Sequence, residues 1–119
     1  MEQDIQLGKR RHSFVWLLQA ASGVLLVILI LLHMIVQHFT AGELLTYEDV
    51  VAYLSNPVVF ALETLFLITV TFHALAGVRS VALDLGLNDH QDRRLTRVLW
   101  VVGTLMVVYG IGITLYITT

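Results

Sequence analysis

The chain has 119 residues, 57% of them hydrophobic and 13% charged, with a formal net charge of −2 and no cysteine. A domain this small cannot hide so much apolar surface in water, so the composition excludes an ordinary soluble globule and points to lipid as the solvent. The missing cysteine excludes disulfides, iron–sulfur ligation and thiol chemistry, and the near-neutral charge gives no reason to expect a nucleic-acid partner.

Hydropathy predicts an all-α integral membrane protein, a single domain over 1–119 with three transmembrane helices. The first predicted helix runs over about 14–38 (Phe14 to His38), the second over 58–82 (Val58 to Ala82) and the third over 98–117 (Val98 to Ile117). Each offers about 20 or more mostly apolar residues, enough at about 1.5 Å per residue to cross a hydrocarbon core of roughly 30 Å. The first is too long for a signal peptide, and no small-residue cleavage pattern follows it.

The charges order the topology. Lys9, Arg10 and Arg11 precede the first helix, Arg79 lies near the end of the second, and Arg93, Arg94 and Arg97 precede the third. The loop from Phe39 to Asn56 carries Glu43, Glu48 and Asp49 and no base. The positive-inside rule therefore predicts a cytoplasmic N-terminus, a cytoplasmic 83–96 loop and an outer C-terminus. Within the outer loop, Thr46 followed three residues later by Asp49 is a helix-start pattern. It predicts a short interfacial helix up to Ser55, stopped by Asn56-Pro57, with Pro57 in the first turn of the second membrane helix.

Polar groups at membrane depth are costly and hence informative. On a 100°-per-residue projection of the first helix, Ser22, Gln19 and Gln37 all fall within about 40° of His33, forming one polar stripe. On the second helix, Thr69, Gly77, Ser80 and Asp84 fall within about 40° of His73. Gly77 clears space one turn from that histidine. An inward imidazole beside cleared space suits axial ligation of haem iron, the macrocycle suits a helical bundle, and Arg79 or Arg11 could meet propionates at the membrane edge. Interhelical hydrogen bonding accounts for the same pattern equally well. The bland readings are preferred elsewhere: interfacial His12 and His38, a solvated His90, a snorkelling or capping Glu63, and Gly103, Gly110 and Thr114 as close helix packing. His33 and His73 differ in depth by roughly 15 Å, too far to hold one iron between them. If both ligate haem, they ligate different haems, and each iron needs its second ligand from a partner chain.

The residues His12-Ser13, Ser22-Gly23-Val24 and Leu31-Leu32-His33-Met34-Ile35-Val36-Gln37-His38-Phe39 carry a resemblance, together with Asn56-Pro57, Phe60-Ala61-Leu62-Glu63 and Phe72-His73-Ala74-Leu75-Ala76-Gly77-Val78. With Arg79 and Asp84 they follow the pattern His-x-x-x-Gly-x-Arg-x-x-x-x-Asp. In order and spacing the chain resembles the cytochrome b-type membrane anchor subunits of succinate:quinone oxidoreductases, the succinate dehydrogenase and fumarate reductase family. The resemblance covers most of the first two helices and extends loosely into the third.

The resemblance implies a haem b-binding hydrophobic anchor of the respiratory chain and tricarboxylic acid cycle, in a prokaryotic inner membrane. It docks a flavoprotein subunit and an iron–sulfur subunit and passes electrons to menaquinone or ubiquinone, the dicarboxylate chemistry lying on the flavoprotein. It implies two haems, each shared with a second small anchor subunit, with His73 the axial ligand of the inner one and His33 of the outer one. Ser22 then lies in the haem vicinity, Arg79 meets a propionate, and Asp84 lies near the quinone. Many anchors have Asp-Tyr where this chain has Asp84-Leu85, which puts the quinone contact in doubt. Two other classes compete. One is a haem-free structural anchor. The other is a small proton-conducting protein using His33, Glu63 and Asp84, although no inverted repeat is present and Glu63 falls about 80° from His73 on the projection.

Overall fold

The computed structural model describes the backbone of residues 1–40, 42 and 46–119, and the side chains of all of these except 11, 12 and 40. Arg11, His12 and Glu43, which the sequence assigns to the membrane edges, therefore lie outside the described side chains. The order of elements is α1 (Glu2–Ile35), a π-helical turn (Val36–Thr40), α2 (Tyr47–Ser55), α3 (Pro57–Asp84) and α4 (Asp89–Thr118), with no strand among the described residues. Helix is what a single apolar segment must form in lipid, because every backbone N–H and C=O has to find its partner within the segment.

Helices α1, α3 and α4 are each long and apolar enough to cross a membrane, in agreement with the three-span count. The helices outrun the hydropathy spans. Helix α1 begins at Glu2, with Glu2 and Asp4 in its first turn where the helix dipole favours acids. Helix α4 begins at Asp89, so Asp92, Arg93, Arg94 and Arg97 stand on its first turns. Hydropathy marks where lipid begins, whereas the caps decide where the helix begins.

Those caps are local and explicit. Thr46 Oγ1 accepts from the Asp49 N–H at 3.2 Å while Asp49 Oδ2 accepts from the Thr46 N–H at 3.0 Å, the capping box that starts α2. Asn56 Oδ1 accepts from the Val58 N–H at 2.9 Å, and Pro57 fills the first turn of α3, where a missing N–H costs nothing. Asn88 and Gln91 repeat the box at the start of α4. Between α3 and α4, Gly86 takes φ +93°, the left-handed conformation that lets the chain reverse in a few residues.

Helix α3 is central, packed on one side by α1 and on another by α4, while α2 lies across one end against α3 and α4. Both neighbours run antiparallel to α3. The contact with α4 depends on glycine. A methyl group added at Gly103 would lie 2.7 Å from Leu75 Cδ1, and one added at Gly110 would lie 2.6 Å from Leu67 Cδ2. Leucine side chains of α3 thus fill the notches left by the two glycines, the close helix packing that the seven-residue spacing predicts. Buried side chains are few (Leu29, Val59, Thr69 and Thr71), and most large apolar residues face outward. Lipid or other chains must cover them.

Candidate functional site

Two polar clusters interrupt the apolar seam between α1 and α3, and each is built around a histidine. The first lies toward the end where Lys9, Arg10, Arg79, Arg93, Arg94 and Arg97 gather. His73 on α3 turns its ring toward α1, where its Nδ1 stands 3.0 Å from Ser22 Oγ. The Ser22 hydroxyl donates its one proton to the Gln19 carbonyl at 2.9 Å. Its oxygen is then left to accept, so the arrangement that satisfies both contacts puts a proton on His73 Nδ1 and the lone pair on Nε2. Gln19 Nε2 donates to the His73 carbonyl at 3.2 Å.

Glycine makes room for both side chains. A methyl group at Gly23 would come within 3.1 Å of His73 Cε1, and one at Gly77 within 3.3 Å of Gln19 Nε2. Gly77 thus accommodates Gln19, and the space beside the imidazole itself is made by Gly23. The Gln19 Oε1 atom is buried without a partner. An unpaired amide oxygen at this depth is costly and marks the cluster as a place where a further polar contact is available.

The second cluster lies at the α2 end. His33 on α1 faces α3, with Nδ1 at 2.8 and 2.9 Å from the two carboxylate oxygens of Glu63. One N–H straddling two oxygens identifies the ring nitrogen as the donor. Tyr53 on α2 donates its hydroxyl proton to Glu63 Oε1 at 2.7 Å. Burial and the adjoining Glu63 carboxylate raise the Tyr53 phenol above its ordinary value. The Phe66 ring lies beside His33 with ring centroids 5.2 Å apart. Along α1, Ser22 and His33 are eleven residues apart, roughly 16 Å, so the two imidazoles sit at clearly different heights.

The buried, unpartnered polar atoms among the described residues are Gln19 Oε1 and Thr71 Oγ1. Neither imidazole Nε2 is one of them, and neither accepts or donates a hydrogen bond there. Each ring is therefore held by Nδ1 and offers Nε2. That is the donor arrangement a metal-ligating histidine takes, with the second nitrogen fixed by a hydrogen bond that sets tautomer and orientation. The residues fit axial ligation of haem iron on this ground.

The remaining sequence candidates are placed differently. Arg79 faces α4, donating from Nε and Nη2 to the two carboxylate oxygens of Asp92 at 2.9 and 2.8 Å, and from Nε to Thr96 Oγ1 at 3.1 Å. A propionate would have to share it. Asp84 is the exposed last residue of α3. His33 and Glu63, two members of the suggested relay, touch, and Asp84 stands at the opposite end of α3 from Glu63. The sequence pattern did not single out Tyr53 or Asp92; it placed Gln19 on the polar stripe of α1 and Gly23 beside Ser22, without showing that either meets α3. Each acquires its role through the register between helices.

Comparison with known proteins adds the lineage of this arrangement. Residues 1–111 match the family model described as "Succinate dehydrogenase/Fumarate reductase transmembrane subunit". The chain is similar to a succinate dehydrogenase hydrophobic membrane anchor subunit of Archaeoglobus fulgidus, 37% identical over 73 residues, which is 61% of this chain and 62% of that protein. It is also similar to a protein of the same name from Thermoplasma acidophilum, 25% identical over 93 residues, 77% of this chain and 76% of that one. The first match thus spans less than two thirds of the relative's length. No solved structure matches the chain.

Proposed function

The chain belongs to the succinate dehydrogenase/fumarate reductase transmembrane subunit family, and from that premise we propose that it is the haem b-binding hydrophobic anchor of a succinate:quinone oxidoreductase. In this reading it sits in a prokaryotic inner membrane with its basic end cytoplasmic. A flavoprotein and an iron–sulfur subunit dock at that end, and a second small anchor subunit lies alongside. The observation that carries the proposal is the paired arrangement of His73 and His33, each tethered at Nδ1 and free at Nε2, at two heights of one helical seam.

His73 would hold the iron of an inner haem and His33 that of an outer one, with the second anchor supplying the other protein ligand to each. When bound, haem b supplies a one-electron relay between the iron–sulfur clusters and a quinone, menaquinone or ubiquinone. This chain's residues hold and orient. Ser22 fixes the tautomer of His73, Gly23 leaves the ring its space, and the apolar faces of α1 and α3 keep water from the seam. Arg79, already paired to Asp92, is a propionate partner only by sharing its guanidinium. Asp84, at the inner surface, stands near the quinone in this reading.

Reduced-minus-oxidised spectra of the purified complex test the assignment. His73→Leu removes the inner b-type signal and His33→Leu the outer one, each leaving the other. A wild-type complex containing flavin and quinone without b-type absorbance defeats the proposal and leaves a haem-free anchor.

A further inference from the structure

The contact between His33 and Glu63 asks more of Glu63 than capping or snorkelling. A histidine serving only as glue between two membrane helices should satisfy both ring nitrogens, because an unpaired nitrogen in hydrocarbon is costly. This one holds Nδ1 against both Glu63 oxygens, at 2.8 and 2.9 Å, while Nε2 makes no hydrogen bond to a described residue and is not among the buried polar atoms, so it is open at the surface of the chain. The His33 and Glu63 side chains are 23% and 19% exposed, so the pair is mostly out of contact with solvent or lipid. Phe66, with ring centroid 5.2 Å from that of His33, limits rotation of the imidazole.

The carboxylate is itself held. Tyr53 donates to Oε1 at 2.7 Å. Elsewhere in this segment Thr46 and Asp49 bond each other, and Ser55 donates to the Val51 carbonyl. Tyr53 links the interfacial helix to the membrane seam. The chain Tyr53–Glu63–His33 connects the seating of α2 to the orientation of one imidazole roughly one helical turn into the bundle.

We infer that Glu63, braced by Tyr53, is a positioning residue that holds His33 in the Nδ1–H tautomer and presents Nε2 as the ligating nitrogen. The inference rests on the haem reading of His33, and it assigns α2 a part in the outer site. A carboxylate on the far nitrogen of a ligating imidazole fixes the ring and raises its basicity, and loss of such partners typically weakens metal binding about 10- to 100-fold.

Two readouts separate this claim from the reading it rests on. The first is ¹⁵N NMR of the histidine-labelled full chain in detergent, prepared without haem, with the His33 signals identified by their loss in His33→Leu. The wild-type ring is expected in the Nδ1–H form. Glu63→Ala shifts it toward the Nε2–H form, and Glu63→Gln and Tyr53→Phe give intermediate mixtures. The second is redox titration of the intact complex. Glu63→Ala lowers retention of the outer haem about 10- to 100-fold and raises the potential of what remains, with the His73 signal unchanged. If Glu63→Ala does not assemble, Glu63→Gln and Tyr53→Phe carry both readouts. A His33 tautomer unmoved in the Glu63 variants overturns the inference. A tautomer that follows Glu63 in a complex with no haem at His33 supports the positioning role and overturns the haem reading alone.

Discussion

His73 Nδ1 lies 3.0 Å from Ser22 Oγ, and this contact joins the centre of α3 to the polar stripe of α1. Since the Ser22 hydroxyl also donates to the Gln19 carbonyl at 2.9 Å, the serine accepts from the ring. Ser22→Ala removes that acceptor. Side-chain hydrogen bonds between membrane helices average about 0.6 kcal/mol, so the bundle should lose little stability. Haem retention at His73 should fall more, about 10- to 100-fold, because the tautomer is no longer fixed. Haem release from the purified complex, followed at the b-type absorbance, checks the split.

Gly23 makes a sterically stricter demand. A β-carbon there would sit 3.1 Å from His73 Cε1, so Gly23→Ala forces the ring to give by a few tenths of an ångström and Gly23→Leu displaces it. The expected order of inner-haem content is wild type, then alanine, then leucine, with the His33 signal preserved throughout. Difference spectra of the three complexes read this directly.

The Arg79–Asp92 pair is a fork of two N–H···O bonds between α3 and α4, partly exposed at 26% and 23%. Arg79→Met leaves Asp92 without that partner and should cost about 1–3 kcal/mol, between the values for exposed and buried pairs. Arg79→Lys restores the charge without the fork and should recover only part of it. Thermal unfolding in detergent measures the loss. A fall in haem content in Arg79→Lys with unchanged stability would instead assign Arg79 to a propionate.

How much of this was legible in the sequence follows from what each feature depends on. Three spans and an all-α fold were legible because lipid leaves an apolar segment no alternative to the helix. Helix α2 was legible to its last residue because Thr46-x-x-Asp49 and Asn56-Pro57 are signals read within a few residues. The two histidines stood out because an imidazole in a rod of Leu, Ile and Val is conspicuous. Glu63 was not legible as the partner of His33. A helical projection relates it only to His73 on the same helix, whereas its partner lies on α1, and only the antiparallel register brings the two together. Asp92 was hidden from Arg79 for the same reason, since the turn at Gly86 sets which turn of α4 faces the guanidinium.

Tyr53 gives a pH dependence. Its phenol is raised from the ordinary value of 10.0, first by burial and then by Glu63. A group whose folded value is raised contributes stability that is complete below its unfolded value and is lost as pH climbs toward the folded one. The chain should therefore lose stability above pH 10, by at most about 1.4 kcal/mol per pH unit. Tyr53→Phe should flatten that alkaline loss while lowering stability at neutral pH slightly. Denaturation midpoints of both proteins between pH 8 and pH 11 make the comparison.

Two porphyrins held at two heights by this chain are the central expectation. Pyridine haemochrome quantified against covalent or extracted flavin in the purified native complex measures their number. Two haems b per flavin is the predicted result, falling to one in either His33→Leu or His73→Leu. A native complex with flavin and quinone present and no haem contradicts it.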